Sequence, residues 1–96
     1  MLLLRKFKIL GHSMEPLINN GNEVVVSFIP YFFKKPKTGD IVAFKKKQEI
    51  FIKRVVKEKN GEYFVEGDNK KDSLDSRSFG SVKINDIIGK VIYIVK

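Results

Sequence analysis

Apolar residues in this chain recur at every second position in short β-branched and aromatic runs, and clusters of Gly, Asn, Asp and Pro soon cut each run off. Such a pattern builds short strands with one face toward a core, and it leaves no length for long helices. Strands are expected over Lys6–Leu10, Glu23–Phe28, Asp40–Lys45, Phe51–Lys57, Glu62–Glu66 and Lys90–Lys96, with a short one near Ser81–Ile84. "INNGN" (Ile18 to Asn22), "KKPKTGD" (Lys34 to Asp40) and "EKNG" (Glu58 to Gly61) carry turn chemistry, and Asn60-Gly61 suits a tight hairpin. Helical content is confined to single turns near Met14–Ile18 and Asn85–Ile88. The expected fold is mainly β, a small antiparallel sheet or partly open barrel. With no internal repeat and no linker, residues 1–96 read as one domain with a single core.

Composition removes some chemistries and leaves others open. Cysteine is absent, which excludes disulfides, thiol nucleophiles and thiolate metal sites. A net charge of +8 is compatible with nucleic acid, an anionic membrane surface or solubility alone. Met1-Leu2-Leu3-Leu4 stops at Arg5-Lys6, short of the ~7–15 apolar residues of a signal peptide core. The run "VVVSFIPYFF" (Val24 to Phe33) holds Pro30 and falls well below the ~18 residues of a spanning helix. No membrane anchor is expected within the chain.

Three stretches can carry chemistry. In "GHSMEPL", Ser13 leaves an apolar strand just before the break at Glu15-Pro16, because a residue preceding proline avoids helical geometry. A serine at such an exit is either a local turn-capping group or an exposed, backbone-held nucleophile. His12 is the chain's only histidine, but neighbours on a strand point to opposite faces, so it reads as a surface or edge residue and not as the base for Ser13. In "IFIKRVV", Phe51, Lys53 and Val55 share one face and Ile52, Arg54 and Val56 the other. Lys53 either snorkels to solvent or is buried. Burial would favour the neutral amine that a general base needs, and lowering a lysine from ~10.4 to ~7–8 costs roughly 3–5 kcal/mol. "EGDNKKDSLDSRSFG" (Glu66 to Gly80) opens on the turn Gly67-Asp68-Asn69 and continues as a polar loop in which Asp68 or Asp75 can pair with an arginine. Its spacing does not fit a calcium loop, and no metal or other cofactor is expected.

Taken in order, these stretches resemble the boxes of the type I signal peptidase family, the S26 Ser/Lys serine endopeptidases. "GHSMEPL" is similar to its Ser-Met-x-Pro box, "GDIVAFK" to its Gly-Asp strand, "FIKRVV" to its Lys-Arg-Val box, and "GDNKKDSLDSRSFG" to its Gly-Asp-Asn…Ser-x-Asp-Ser-Arg-x-x-Gly box. The resemblance implies that Ser13 is the nucleophile, its backbone N–H an oxyanion donor, and Lys53 the general base. Ser73 matches the serine that orients the lysine, Asp75 and Arg77 a pair that braces the loop, and Gly67, Asp68 and Asn69 the turn that shapes the site. The implied reaction is removal of signal peptides or short pro-segments after small residues, on an extended polypeptide substrate.

Two departures qualify the match. Some relatives carry a hydroxyl residue two places before the nucleophile as a second oxyanion donor, where this chain has Gly11, as other relatives do. Relatives also carry an N-terminal anchor and many an added β-domain, so the chain resembles a minimal catalytic core, similar to nickel superoxide dismutase maturation proteases. That form implies a dedicated substrate and a cytoplasmic setting, whereas the wider family implies work at a membrane surface. Ile29, Tyr31, Phe32 and Phe33 beside Lys34-Lys35 fit either a peripheral membrane contact or a packed hairpin end. Self-cleaving repressors share the resemblance, but their Ala-Gly or Cys-Gly cleavage site and DNA-binding domain are missing. A basic barrel that binds nucleic acid is the alternative from another class, although no nucleic acid partner is expected. Oligomeric state is not legible at this level.

Overall fold

The computed structural model describes residues 4–71 and 76–96. Seven strands are found among them: β1 (Leu4–Lys8), β2 (Glu23–Ser27), β3 (Ile41–Lys46), β4 (Glu49–Lys59), β5 (Glu62–Glu66), β6 (Val82–Lys83) and β7 (Ile87–Val95). They form one open antiparallel sheet in the order β1-β2-β7-β3-β4-β5-β6. The mainly β expectation holds.

Alternation of side chains builds a core on each face of this sheet. Ile9, Met14, Ile18, Val24, Val26, Ile41 and Ala43 form one cluster. Val42, Phe44, Val55, Tyr63, Val65, Val82 and Ile87 form the other. Strand β3 divides its residues between the two, so Ile41 through Phe44 are all buried. A central strand buried on both sides reads as a continuous apolar run, as "IVAF" does.

The β4–β5 hairpin turns at Asn60-Gly61, both with positive φ (54° and 78°), as the Asn-Gly signal predicts. The β3–β4 hairpin turns at Lys47-Gln48, also with positive φ (51° and 67°), although neither residue signals it. Strand β4 consequently starts at Glu49 and not at Phe51. Strand β1 lies two residues earlier than the pattern suggests, and β7 starts at Ile87 and not Lys90, directly after a 3₁₀ turn over Ile84–Asp86. The turn near Met14–Ile18 is present, closed by the Ile18 N–H donating to the Met14 carbonyl at 2.9 Å. A 3₁₀ turn over Ile29–Phe32, with Pro30 in its first turn, and a one-turn helix over Ser76–Phe79 complete the fold.

Gly89 has a packing reason to be glycine: a Cβ there would sit 2.7 Å from the Ser27 carbonyl carbon and oxygen. This close approach seats β7 between β2 and β3. Among the described residues, no helix is long and apolar enough to cross a membrane.

Candidate active site

Past β1 the ladder continues for one more step, with the Ile9 N–H donating to the Asn22 carbonyl and the Gly21 N–H to the Ile9 carbonyl, both at 2.8 Å. The chain then leaves the sheet at Gly11, whose φ of +105° lies in a region L side chains rarely adopt. The Gly11 N–H donates to Asn20 Oδ1 at 2.8 Å. Gly11 therefore has a backbone role of its own, independent of any hydroxyl a relative carries at that place. Met14 is buried in the core beneath this turn, and the Glu15–Pro16 peptide bond is cis. Anchored on both sides, Ser13 is held half-buried at the turn's inner edge.

Lys53 comes from the middle of β4, opposite Val42 of β3. It does not snorkel: the residue is only 4% exposed. Its Nζ lies 2.8 Å from Ser13 Oγ, in a hydrogen bond between residues 40 positions apart in sequence. Of the two readings of Lys53, snorkelling and burial, the structure shows burial. His12 behaves as expected of a surface residue. Its side chain is 56% exposed, and Nδ1 lies 2.6 Å from Glu15 Oε2.

The turn at Gly67–Asn69 ties these two elements together. The Asn69 N–H donates to the Ser13 carbonyl at 2.8 Å, and Asn69 Nδ2 to the His12 carbonyl at 3.0 Å. The Asp68 N–H points at Met14 Sδ, 3.4 Å away. On the other side, Arg54 Nε and Nη2 donate to the two carboxylate oxygens of Asp68, each at 2.9 Å, and Arg54 Nη1 donates to the Gly39 carbonyl at 3.0 Å. The Arg54 hydrogen bonds hold the Asp68 carboxyl below its usual range against the opposing effect of desolvation, and in return raise the Arg54 guanidinium. The serine box, the Lys-Arg-Val box and the Gly67–Asn69 turn thus each meet the other two through hydrogen bonds, and Gly39 joins them through Arg54. Asp68 pairs with an arginine, Arg54, as one of the two expected pairings. What the sequence did not signal is that Asn69 clamps two successive carbonyls of the serine turn.

Arg77 lies exposed on the one-turn helix Ser76–Phe79. Ser73 and Asp75 lie outside the described residues. Among the described residues, no group of three or more His, Cys, Asp and Glu side chains converges as a metal site would require.

Beside Ser13 and Lys53 runs a cleft of about 280 Å³, lined by Phe7, Ile9, Leu10, Met14, Ile50 and Ile52 among others. Its two walls are strand edges. Strand β1 is an edge of the sheet, and the β4 residues Glu49–Lys53 pair with β3 on one side while β5 joins only from Arg54 onward. Counting through the antiparallel pairings β1, β2, β7, β3 and β4, the two walls run parallel to each other. A largely apolar groove between two strand edges, whose lining includes a serine hydroxyl in contact with a buried amine, is suited to receiving an extended peptide and acting on its backbone.

The family described as signal peptidase, peptidase S26 matches residues 1–57 and 58–96, and the chain belongs to that family. It is 25% identical to the thylakoidal processing peptidase 1, chloroplastic, of Arabidopsis thaliana, over 84% of this chain and 38% of that protein. It is 27% identical to the probable thylakoidal processing peptidase 2, chloroplastic, of the same plant, over 84% of this chain and 35% of the relative. Over 58% of its length it is 31% identical to the inactive signal peptidase IA of Staphylococcus aureus, covering 35% of that protein. The chain therefore spans between 35% and 38% of the length of these curated relatives.

Proposed function

We propose that residues 1–96 act as the catalytic domain of a signal peptidase-type serine endopeptidase with a Ser13/Lys53 dyad. The observation that carries this reading is the 2.8 Å contact between Ser13 Oγ and the Nζ of a lysine only 4% exposed. Burial works against the ammonium form, so the amine is poised to accept a proton. One relative bears the name inactive; this chain keeps a serine and a lysine in contact, which favours the active reading.

In this mechanism Lys53 Nζ takes the Ser13 hydroxyl proton as Oγ attacks the substrate carbonyl carbon. The carbonyl oxygen becomes an oxyanion that accepts from the Ser13 backbone N–H. Collapse breaks the peptide C–N bond, the Lys53 ammonium returns its proton to the leaving amine, and an ester to Ser13 remains. The neutral amine then takes a proton from water, whose hydroxyl attacks the ester, and the released Ser13 Oγ is reprotonated by Lys53. Ser73 orients the amine in this scheme, and Asp75 and Arg77 brace the loop, roles that rest on the family resemblance. Asp68 and Asn69 fix the position of the serine turn through the contacts described above.

The substrate lies extended in the cleft and pairs with the free edges of β1 and β4. The processing peptidase and signal peptidase names of the relatives favour a signal peptide as substrate; a short pro-segment, cleavage after small residues and work at a membrane surface rest on the family resemblance. Dedicated maturation of one protein in the cytoplasm is the narrower form of the same reading.

The test is cleavage of a peptide library rich in Ala-x-Ala and Gly-Gly junctions by wild type, Ser13→Ala and Lys53→Ala between pH 6 and 10. Wild-type activity is expected to rise through one ionisation below pH 9 and to fall by at least ~10³-fold in each variant. Retained cleavage in either variant would remove the dyad.

A further inference from the structure

Between β2 and β3 the chain makes an excursion, residues 28–40, that the peptidase reading does not use. Its 3₁₀ turn is pinned from inside. Phe28 and Tyr31 pack against the second core cluster, and the Tyr31 hydroxyl donates to Asp40 Oδ2 at 2.9 Å. With Tyr31 turned inward, the neighbouring apolar residues are left outward: Ile29 is 41%, Phe32 57% and Phe33 83% exposed. The expectation of either a membrane contact or a packed hairpin end thus divides between residues, with Phe28 and Tyr31 packed and Phe32 and Phe33 presented to solvent.

Cations surround this apolar tip. A cavity of about 230 Å³ beside it is lined by Phe33, Lys34, Lys35, Lys37, Asp40 and Lys90 among others. The one carboxylate there is engaged by the Tyr31 hydroxyl, by the Lys37 N–H at 3.2 Å and by Lys90 Nζ at 3.5 Å. Four lysines against one aspartate give the cavity's lining a net positive charge. Leu4, 52% exposed, sits opposite Ser27, whose Oγ accepts from the Ile29 N–H, and so extends the apolar area along the edge of the sheet.

We propose that this excursion is a docking surface for an anionic phospholipid bilayer, with Phe32 and Phe33 entering the boundary between headgroups and acyl chains and Lys34, Lys35, Lys37 and Lys90 holding lipid phosphates. Aromatic residues at a convex tip, flanked at once by lysines, match the two requirements of interfacial binding: apolar area to bury and charge complementary to anionic headgroups. A single-stranded nucleic acid site would instead spread aromatic faces and cations along a groove. Strand β1 starts beside the excursion and leads toward Ser13, nine residues on and at most about 30 Å away. The excursion and the cleft share no lining residue, so docking would leave the cleft unoccupied. The surface extends the peptidase reading but does not require it.

The chain contains no tryptophan, so Phe33→Trp supplies a clean fluorescent reporter. With vesicles of phosphatidylcholine and 30% phosphatidylglycerol its emission should shift to the blue, and wild type should co-sediment with them. Pure phosphatidylcholine or 0.5 M NaCl should weaken binding at least tenfold. The pairs Phe32→Ser/Phe33→Ser and Lys34→Glu/Lys35→Glu should each do the same. Lys57→Glu/Lys59→Glu on the β4–β5 hairpin, an equal change in charge, should weaken it less than threefold. Circular dichroism verifies that each variant is folded. An unshifted emission, equal losses from the two lysine pairs, full displacement by inorganic phosphate at millimolar concentration, or tighter binding to a single-stranded oligonucleotide than to vesicles would each overturn the proposal. Cleavage of soluble peptides by Phe32→Ser/Phe33→Ser should stay within twofold of wild type. Vesicle binding by a protein that cleaves nothing would defeat the peptidase reading and leave the docking surface standing.

Discussion

Two aspartates, each beside a turn, are held by opposite means. Asp40 is the more deeply buried, with a side chain 7% exposed against 21% for Asp68. Yet Asp40 relies on a phenol, a backbone N–H and an ammonium 3.5 Å away, whereas Asp68 receives two parallel guanidinium hydrogen bonds at 2.9 Å. Paired charge-assisted bonds fix direction as well as distance. The chain places that rigid arrangement where the serine turn must be held, and leaves the looser one under the excursion. Burial and rigidity are separate properties here, and position relative to Ser13 sorts them.

Breaking the rigid carboxylate should have the largest effect. Asp68→Asn keeps the shape but removes the charge that Arg54 pairs with, and Asn69, the next residue, loses its fixed starting point. A displacement of the serine turn of this kind is expected to cost on the order of 10–100-fold in kcat/KM on peptides that the wild type cleaves. Stability should fall by about 1–3 kcal/mol, read by thermal or urea unfolding, since both partners remain partly solvated. The sign with pH follows from the carboxyl being held low. Its stabilisation is complete above the unfolded value of about 3.9 and is lost as pH falls through the lower folded value. Wild type should therefore lose stability on acidification below about pH 4, and Asp68→Asn should show a flatter acid limb; parallel limbs would mean that Asp68 is not the group responsible.

The contrast between the two aspartates explains what was legible in the sequence. Strands were readable because period 2 is a local property: Val24 and Val26 enter one core cluster, and Val42 and Phe44 the other, as alternation requires. The β3–β4 turn was not, because Lys47 and Gln48 adopt positive φ with no glycine or asparagine to announce it, held there by the ladder on either side. Ser13 and Lys53 were legible as candidates, but their contact spans 40 positions, and no periodicity reports whether a lysine on an apolar face snorkels or is buried. The pairing of Asp68 with Arg54, and the double clamp by Asn69, depend on where a polar loop folds back, which short-range pattern does not encode. In the excursion, "FIPYFF" displays the same apolar character throughout, and only core packing and the Tyr31–Asp40 bond reveal which rings turn inward.

The looser carboxylate should yield smaller effects, confined to stability. Tyr31→Phe removes one donor from Asp40 and leaves the Lys37 N–H in place, so a loss of about 1–2 kcal/mol is expected, with peptide cleavage within twofold of wild type. Burial and the adjacent Asp40 both push the Tyr31 phenol well above its usual range, so the hydroxyl stays a donor throughout the pH range in which cleavage would be measured. Lys90→Met should matter least. An ammonium 3.5 Å from its partner and one-third exposed is worth about 0.5–1 kcal/mol, and the methionine can keep the apolar stem packed. Chemical denaturation of the three variants in parallel should rank Asp68→Asn, Tyr31→Phe and Lys90→Met from most to least destabilised. A Lys90→Met loss equal to that of Tyr31→Phe would mean that the distant ammonium, and not the phenol, holds Asp40 under the excursion, and the division between a rigid and a loose carboxylate would have to be redrawn.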